Sequence, residues 1–367
     1  MIKFFDLTKQ YQNVGKEIEE SVKGVLSSGK YILGENVKSF EENFANYIGT
    51  KYCIGVANGT DALTLALKCL PNNGYGEVIT VPNTYVATVE AIIHARFKPV
   101  FVDIDPETGL MDLDKIKDNI SINTIAIIPV HLYGQCVDMI RLNMIAKDKE
   151  LYVIEDACQA HGATYNGKKV GSFGSMSAFS FYPSKNLGCA GDGGAITTDD
   201  GDFYKKILSL RDHGQSEKSV HSLVGYNSRL DEIQACILDI KLKRLDRWND
   251  NRRKVSWIYD RIFKGVFIGT TITPLEIRVG CVPIFHLYVV KTTKRDAVIE
   301  KLKQADIQFG IHYPTPIHLQ PAYKYLGYKE GDFPMAEQFC KEIISLPMYP
   351  EMSLSEVDLI GKIVLYG

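Results

Sequence analysis

Residues 176–194 read M-S-A-F-S-F-Y-P-S-K-N-L-G-C-A-G-D-G-G. Small and aromatic residues alternate at the start of this stretch, as in a buried strand, and Pro183 then breaks the pattern. Lys185 follows inside a glycine-rich turn, so the sequence presents one lysine at the end of a strand. Because a lysine in a turn is usually an ordinary surface residue, this stretch alone assigns it no chemical role.

A carboxylate upstream is a candidate partner for that lysine. Asp156 ends the apolar run L-Y-V-I-E-D, which is typical of a buried parallel strand. Open α/β sheets bind ligands in the crevice at the carboxyl ends of their strands. Asp156 and Lys185 are therefore expected to face the same crevice.

Strand and helix patterns alternate from Tyr52 onward, which predicts one large, mostly parallel sheet with helices on both faces. Two helical patterns, Val14–Ser28 and Val37–Ile48, precede the first strand. Residues 29–35 separate the two helices, and they are interpreted either as a simple connecting loop or as part of the wall of a ligand site. The predicted strands lie at 52–57, 77–82, 98–104, 124–130, 151–156, 176–181 and 193–198.

The last third of the chain indicates a second, smaller domain. Residues 229–263 read as one long helix, of the kind that commonly bridges two lobes. It is followed by a strand at 285–292, a helix at 295–305, a Pro- and His-rich loop at 312–321 and two terminal helices. We therefore predict a large α/β domain at 1–245 and a small α+β domain at 246–367.

Composition narrows the class of protein. The 367 residues carry a formal net charge of −2, whereas nucleic-acid-binding domains usually carry a strong basic excess. No signal peptide and no membrane-spanning apolar run is visible, so a cytoplasmic location is expected. The eight cysteines are scattered without a C-x-x-C pair, which favours small buried hydrophobes over disulfides or a metal site.

Two strand-to-helix junctions supply candidate ligand contacts. Gly59 and Thr60 begin the helix after the first sheet strand, and a helix start in the crevice could hold a phosphate, although an ordinary capped helix has the same pattern. Tyr85 lies at the next junction, where its ring could cover a flat cofactor or simply fill the core. A phosphate site, an aromatic ring, an acid and a lysine together suit pyridoxal phosphate. Its aldehyde needs an amine, and its ring nitrogen needs an acidic partner such as Asp156.

An ordered set of motifs resembles one family closely. They are A-N-G-T-D-A-L, V-P-N-T-Y-V-A-T, P-V-H-L-Y-G, E-D-A-C-Q-A-H-G-A, F-S-F-Y-P-S-K-N-L-G, G-D-G-G-A and G-Y-N-S-R-L-D-E-I-Q-A. The chain resembles, nearly end to end, the sugar aminotransferases of the DegT/DnrJ/EryC1/StrS group, which have the aspartate-aminotransferase fold (fold type I). The resemblance implies an α/β pyridoxal-phosphate enzyme with a large sheet domain and a small C-terminal domain.

The resemblance also implies roles for individual residues. Lys185 would form the internal aldimine and shuttle a proton, Asp156 would pair with the ring nitrogen, and Gln159 would bond the ring hydroxyl oxygen. The remaining implied cofactor contacts are Gly59, Thr60 and Ser180 at the phosphate, Tyr85 on the ring, and Asn227 reaching the phosphate from a neighbouring subunit. A homodimer with shared active sites follows. Arg229 would position the donor's carboxylate, or it is a surface residue at a helix start.

The residues of the lysine motif narrow the range of expected sugar substrates. Relatives that aminate C4 of nucleotide sugars tend to have F-S-F-H before the lysine and a glutamate in the next glycine turn. This chain has F-S-F-Y and G-D-G-G, similar to relatives that aminate C3. The expected reaction moves an amino group from L-glutamate to C3 of a dTDP-3-keto-6-deoxyhexose. Ser184 stands where many relatives have glycine, which should alter backbone freedom more than chemistry.

Other functions remain as alternatives. The sugar could be a UDP-linked 3-keto sugar, or the chain could be a non-catalytic regulatory protein that binds the cofactor. A related class of sugar dehydratases has histidine at the lysine position, and Lys185 argues against it. A nicotinamide oxidoreductase is disfavoured because no strand is followed by G-x-G-x-x-G.

Substrate contacts are predicted more loosely, as ligand contact or as packing. A sugar diphosphate needs hydrogen-bond donors, and the 312–321 loop offers His312, Tyr313 and His318. Tyr31 and Gly34 could border the nucleotide, and Tyr182 lies close enough in sequence to Lys185 to touch the sugar.

Overall fold

The computed structural model describes residues 1–71, 74–265 and 271–366. Its main sheet has seven strands in the order β1-β9-β8-β5-β4-β2-β3. Six of them run in one direction and β9 is antiparallel to both neighbours, so the predicted mostly parallel sheet is confirmed. The strands of the first 200 residues are β1 (Tyr52–Val56), β2 (Glu77–Thr80), β3 (Lys98–Phe101), β4 (Thr124–Ile127), β5 (Tyr152–Asp156), β6 (Thr164–Tyr165), β7 (Lys168–Lys169), β8 (Met176–Ser180) and β9 (Gly194–Thr198).

The helices cover the sheet and form much of the second unit. They are α1 (Leu7–Ser28), α2 (Glu35–Ile48), α3 (Gly59–Lys68), α4 (Ala87–His94), α5 (Met139–Asp148), α6 (Gly201–Arg211), α7 (Glu232–Leu242), α8 (Leu245–Lys264), α9 (Arg295–Gln304), α10 (Pro334–Glu342) and α11 (Leu354–Tyr366). Within the described ranges, no helix combines the length and the apolar composition that crossing a bilayer needs.

Side chains alternate between the two faces of the sheet, and both faces are buried. Val153 and Phe179 lie in one apolar cluster, whereas their neighbours Ile154 and Ala178 lie in the other. Successive residues of a strand point to opposite faces, so the continuous apolar runs in the sequence fill two cores at once. The sheet is therefore held rigidly between helical layers.

The two predicted N-terminal helices are confirmed, and so is the interruption between them. Asp6 caps α1 by accepting a hydrogen bond from the Thr8 amide, and Gly29 ends that helix in the left-handed conformation with φ of 65°. The start of α2 is capped from a distance, because the Glu232 carboxylate accepts hydrogen bonds from the amides of Gly34, Asn36 and Val37.

The single long helix predicted at 229–263 is wrong. The structure has α7 and α8 with a break at Lys243 and Arg244. Leu238 and Leu242 face the core under the sheet, whereas Tyr259 and Phe263 face a separate core of the second unit. The break allows the two apolar stripes to face two different cores.

The second unit is built on a small antiparallel sheet in the order β12-β14-β15. The short strands of the hairpin and the second unit are β10 (Gln215–Glu217), β11 (Val220–His221), β12 (Thr273–Pro274), β13 (Cys281–Val282), β14 (Tyr288–Lys291) and β15 (Ile343–Leu346). Sequence patterns missed β15, which lies between the two terminal helices. Strand β13 does not join this small sheet but pairs with β6 of the first unit. Ile2, at the start of the chain, forms a β-bridge with Ile307 of the second unit, so each unit contributes a segment to the other. The domain limits 1–245 and 246–367 stay a prediction.

Candidate active site

Lys185 lies in a tight turn between β8 and β9. Its amide donates to the Tyr182 carbonyl oxygen over 2.8 Å, and the Cys189 amide closes the turn on the Phe181 carbonyl oxygen over 2.8 Å. A Cβ atom on Gly188 would lie 2.4 Å from the Pro183 oxygen, so the turn requires a glycine there. Burial lowers the pKa of the Lys185 amine, and the nearby Cys158 and Asp156 oppose that shift.

Two buried side chains, Asn186 and Lys241, fix this turn by hydrogen bonds. The Asn186 amide nitrogen donates to Asn249 Oδ1 over 2.8 Å and to the Ile284 carbonyl oxygen over 3.0 Å. Lys241 Nζ donates to the Gly188 carbonyl oxygen over 2.7 Å, and burial lowers the pKa of its amine to about 8. Helices α7 and α8 therefore both fix the backbone around Lys185.

Asp156 ends β5 and is almost completely buried. Its Oδ2 accepts a 2.7 Å hydrogen bond from Thr88 Oγ1, and its Oδ1 accepts a 3.3 Å hydrogen bond from the Cys158 amide. Thr88 was not predicted as a site residue, although it ends the motif V-P-N-T-Y-V-A-T. Its contact with Asp156 joins residues 68 positions apart, which one sequence does not reveal.

The start of α3 lies against the end of β8. Asn58 caps the helix by accepting a hydrogen bond from the Asp61 amide over 2.8 Å. A Cβ atom on Gly59 would lie 2.6 Å from Ser180 Cβ, so only a glycine allows this approach. Gly59, Thr60 and Ser180 are thereby brought together at a helix N-terminus, which favours an anion such as a phosphate.

Gln159 and two tyrosines follow Asp156 in the same crevice. Gln159 Oε1 accepts a 2.8 Å hydrogen bond from the Tyr133 amide, and its Nε2 donates to the Tyr313 hydroxyl over 3.3 Å. The rings of Tyr313 and Tyr85 lie 5.5 Å apart, and Tyr85 keeps 54% of its surface exposed. One face of the crevice is therefore aromatic.

Three histidines surround Lys185 and are held neutral. Burial and the Lys185 charge lower the pKa of His161 to about 3 and that of His312 to about 4, and they lower the pKa of His286 well below its usual value. His312 is held by a 2.9 Å hydrogen bond between Nδ1 and Ser345 Oγ and by stacking on Phe4. Phe4 was not predicted as a neighbour of the site.

The structure does not bring His318 to the crevice. Its side chain is fully buried, and its Nε2 is 3.0 Å from Glu337 Oε1. The rings of Phe333 and Phe101 pack against it. The contact with a sugar diphosphate predicted for His318 is wrong for this conformation, because no polar atom of the ring is accessible.

The other predicted substrate contacts lie at the rim of the molecule. Tyr182 is exposed beside the Lys185 turn, and Tyr31 is exposed before α2. Gly34 donates its amide to Glu232 Oε1, so its polar contact is already used within the chain. Arg229 forms a 3.2 Å ion pair with Asp212. Asn227 is exposed next to the β10–β11 hairpin and lies opposite Asp212.

Comparison with known proteins assigns the chain to a family. The model of the DegT/DnrJ/EryC1/StrS aminotransferase family matches residues 12–365. The chain belongs to this aminotransferase family. The enzyme therefore has the aspartate-aminotransferase-like α/β fold expected from its motifs, and its cofactor is pyridoxal phosphate.

Three similar proteins illustrate what the family contains. The dTDP-3-amino-3,6-dideoxy-alpha-D-galactopyranose transaminase of Aneurinibacillus thermoaerophilus is 46% identical over 99% of each chain. A protein of Geobacillus stearothermophilus named pleiotropic regulatory protein is 45% identical over 96% of this chain and 94% of its own. The crystal structure of Streptomyces venezuelae DesV with a ketimine intermediate is 38% identical, has a TM-score of 0.96 and covers 99% of this chain and 97% of its own.

The residues present fit this cofactor. A helix N-terminus with a close glycine suits the phosphate, and a buried carboxylate suits a protonated ring nitrogen. A half-buried lysine with a lowered amine pKa suits the aldehyde, since the neutral amine is the reactive form. An exposed tyrosine ring beside them suits the flat face of the pyridine.

Proposed function

We propose that the enzyme transfers an amino group from L-glutamate to C3 of a dTDP-3-keto-6-deoxyhexose and produces a dTDP-3-amino-3,6-dideoxyhexose. The observation that carries this proposal is the meeting of Lys185, Asp156 and Gln159 in one crevice, within the lysine motif F-S-F-Y-P-S-K-N-L-G. The relative named as a dTDP-3-amino-3,6-dideoxygalactose transaminase supports the choice of sugar, nucleotide and ring position.

Each side chain has a defined task in this proposal. Pyridoxal phosphate, when bound, supplies an electrophilic carbon for the amino group and a ring that withdraws electrons from the substrate's C–H bond. Asp156 holds the proton on the ring nitrogen, and Thr88 keeps that carboxylate in place. Lys185 Nζ would take a proton from the amino donor's carbon and deliver it to the cofactor carbon, and it would move a proton in the reverse direction when the keto sugar accepts the nitrogen. Gly59, Thr60 and Ser180 bind the phosphate, Gln159 orients the ring hydroxyl, and Tyr85 excludes water from one face.

The two substrates react in turn at one site. Glutamate gives up its amino group and leaves as 2-oxoglutarate before the keto sugar takes the nitrogen. Tyr182 is the proposed sugar contact, Tyr313 is a proposed hydrogen-bond donor to the diphosphate, and Tyr31 and Gly34 border the nucleotide. Arg229 is the proposed partner of the donor's carboxylate, although its ion pair with Asp212 has to open first.

We also propose a homodimer in which Asn227 reaches the phosphate of the neighbouring subunit. Supporting this, Asn227 is exposed next to the exposed residues Leu223, Val224 and Tyr226, and Val224 keeps 95% of its surface. An apolar, exposed segment that carries a polar side chain suits a subunit contact. A cytoplasmic location and the domain limits 1–245 and 246–367 belong to the same proposal.

One alternative function has an observation in its favour. The relative named as a pleiotropic regulatory protein is 45% identical, so a regulatory role is the second candidate. A protein that only binds the cofactor does not need an amine beside the carboxylate, whereas this chain keeps both. A UDP-linked 3-keto sugar is the alternative substrate.

A substrate panel tests the proposal. Purified holoenzyme is incubated with glutamate and, separately, with dTDP-3-keto-6-deoxyglucose, dTDP-3-keto-6-deoxygalactose and a UDP-linked 3-keto uronic acid sugar. Formation of 2-oxoglutarate is measured, and NMR of the product locates the new amine. Turnover of a dTDP sugar supports the proposal. Preference for the UDP sugar would replace the proposed dTDP substrate with a UDP-linked one. No amino transfer to any of the three sugars would favour the regulatory role.

A further inference from the structure

Glu155, the residue before Asp156, is fully buried and accepts five hydrogen bonds. Its carboxylate lies on the other face of β5 and so does not enter the crevice. The donors to Oε1 are the amides of Phe173 (2.7 Å) and Gly174 (2.8 Å) and Ser177 Oγ (2.8 Å); the donors to Oε2 are the Gly171 amide (2.9 Å) and His131 Nε2 (3.0 Å). Burial alone would raise the pKa of this carboxyl, but His131 and the amides outweigh it and lower the pKa.

The hydrogen bonds of His131 fix its tautomer. Its Nδ1 is 3.2 Å from the Val137 amide and must accept from it, so the ring proton is on Nε2 and is donated to Glu155. The backbone of His131 also contacts the site, because its amide donates to the Asp156 carbonyl oxygen over 3.0 Å. Asp156 in turn donates its amide to the Pro129 carbonyl oxygen over 2.9 Å.

The segment that His131 begins also holds Gln159. Residues 131–137 form a short loop closed at one end by the ring of His131 and at the other by the Val137 amide. Inside this loop, the Tyr133 amide donates to Gln159 Oε1 over 2.8 Å. One buried carboxylate therefore anchors the loop that contacts both Asp156 and Gln159.

We propose that Glu155 and His131 are positioning residues, which set Asp156 and Gln159 against the cofactor ring. This inference rests on the aminotransferase function and adds to it two residues that touch neither substrate nor cofactor. Through Glu155 and His131, the loop at 171–174 is coupled to Asp156, the proposed partner of the ring nitrogen.

Glu155→Gln disrupts the pair without a large change in volume. The amide oxygen can keep the three donors at Oε1, but the amide nitrogen then faces the Gly171 amide and His131 Nε2, which are both donors. Moving the His131 proton to Nδ1 does not help, because Nδ1 would then face the Val137 amide. The loop must shift in either tautomer.

Glu337 provides a matched control. It is also almost completely buried, lies 3.0 Å from the Nε2 of a histidine, His318, and accepts from the amides of Gly331 and Phe333. Glu337→Gln should therefore lower the melting temperature in the same way, while it leaves the crevice unchanged.

The measurement is the state of the cofactor ring in intact holoenzyme. Protein is loaded with ring-¹⁵N-labelled pyridoxal phosphate, and the ¹⁵N shift and the pH titration of the visible absorption band are recorded. For Glu155→Gln we expect the nitrogen shift to move toward that of an unprotonated ring, the apparent pKa of the band to change by about half a unit or more, and kcat to fall on the order of tenfold. Glu337→Gln should change none of the three.

The outcomes separate this inference from the proposed function. Wild-type protein without a visible band contradicts the aminotransferase function itself. A normal wild-type band, with Glu155→Gln and Glu337→Gln both changing only the melting temperature, overturns the positioning role. Should Glu155→Gln not fold, His131→Asn replaces it, since Asn Oδ1 can still accept from Val137 while the donor to Glu155 is lost. An unchanged nitrogen shift in His131→Asn likewise overturns the inference.

Discussion

Lys185 combines three properties that a single residue of this type rarely has. It is half-buried, its turn is fixed by Asn186 and Gly188, and the pKa of its amine is lowered by burial. A neutral amine is therefore available at a lower pH than for an exposed lysine, since the pKa falls below its usual 10.5.

This environment predicts where the cofactor is attached. Borohydride treatment of the holoprotein should leave a reduced cofactor on Lys185, which peptide mass spectrometry locates. Lys185→Arg should lose the visible absorption band and the amino transfer, because the guanidinium does not provide a neutral amine. Lys205→Arg, on an exposed face of α6, is the matched control and should behave as wild type. Label on any other lysine contradicts the assignment.

Gly59 predicts the effect of a single methyl group. In Gly59→Ala the new Cβ would lie 2.6 Å from Ser180 Cβ, so the start of α3 must move away from β8. We expect a loss of unfolding free energy of about 1–3 kcal/mol and weaker retention of the cofactor. Denaturant unfolding and dialysis against cofactor-free buffer measure the two effects.

Gly24→Ala is the control for that substitution. Gly24 lies within α1, and a methyl group added there would meet no atom of another segment within 4 Å, so alanine should stabilise the helix by about 0.5–1 kcal/mol. Equal cofactor retention in both variants would show that the close approach at Gly59 is not needed for binding.

His312 predicts a dependence of stability on pH. Its folded pKa is about 4 and its ordinary value is 6.5, so the unfolded chain binds more protons between these values. Stability should therefore rise as the pH increases from about 4 to 6.5. His312→Asn, which can still bond Ser345, should make this rise shallower in urea unfolding series. An unchanged slope would mean that the folded protein does not lower the pKa of His312.

Among the elements, the strands of the main sheet were predictable and the second unit was less so. Buried parallel strands are continuous apolar runs, which mark β1 to β5 directly in the sequence. The break between α7 and α8 could not be recognised in the sequence, because the two residues at the break are Lys243 and Arg244 and neither is a helix-breaking proline or glycine. It arises from tertiary packing against two cores, and β15 likewise depends on its pairing with β14.

The same limit applies to the site. Asp156 and Lys185 were predictable from the residues, because Asp156 ends an apolar strand run and Lys185 lies in the glycine-rich turn that follows a strand, whereas Gln159 was predictable only from the resemblance of its motif to the family. Contacts between distant segments were not, and they include Thr88 with Asp156 and Tyr133 with Gln159. For His318 the prediction failed in the other direction. A histidine in a polar loop is expected to be accessible, but in the structure Glu337 of α10 binds its ring and the side chain is buried.

For the whole molecule, the proposed homodimer predicts a position-specific response to charge. Val224→Asp places a carboxylate in the exposed apolar segment beside Asn227, so it should shift the protein toward monomer and weaken cofactor retention together. Light scattering coupled to size exclusion measures the mass. Ile122→Asp is the control, because Ile122 is fully exposed before β4, at the end of the sheet opposite the crevice. A dimer that persists in Val224→Asp would place the subunit contact elsewhere.

The first residues of the chain have a practical consequence. Ile2 pairs with Ile307 and Phe4 stacks on His312, so this short segment is part of the wall near Lys185. An affinity tag or fusion partner attached just before Ile2 should displace this segment and lower activity, although it touches no functional group. Tyr366, the last residue of α11, is 70% exposed, so a purification handle placed after α11 should leave the wall near Lys185 undisturbed.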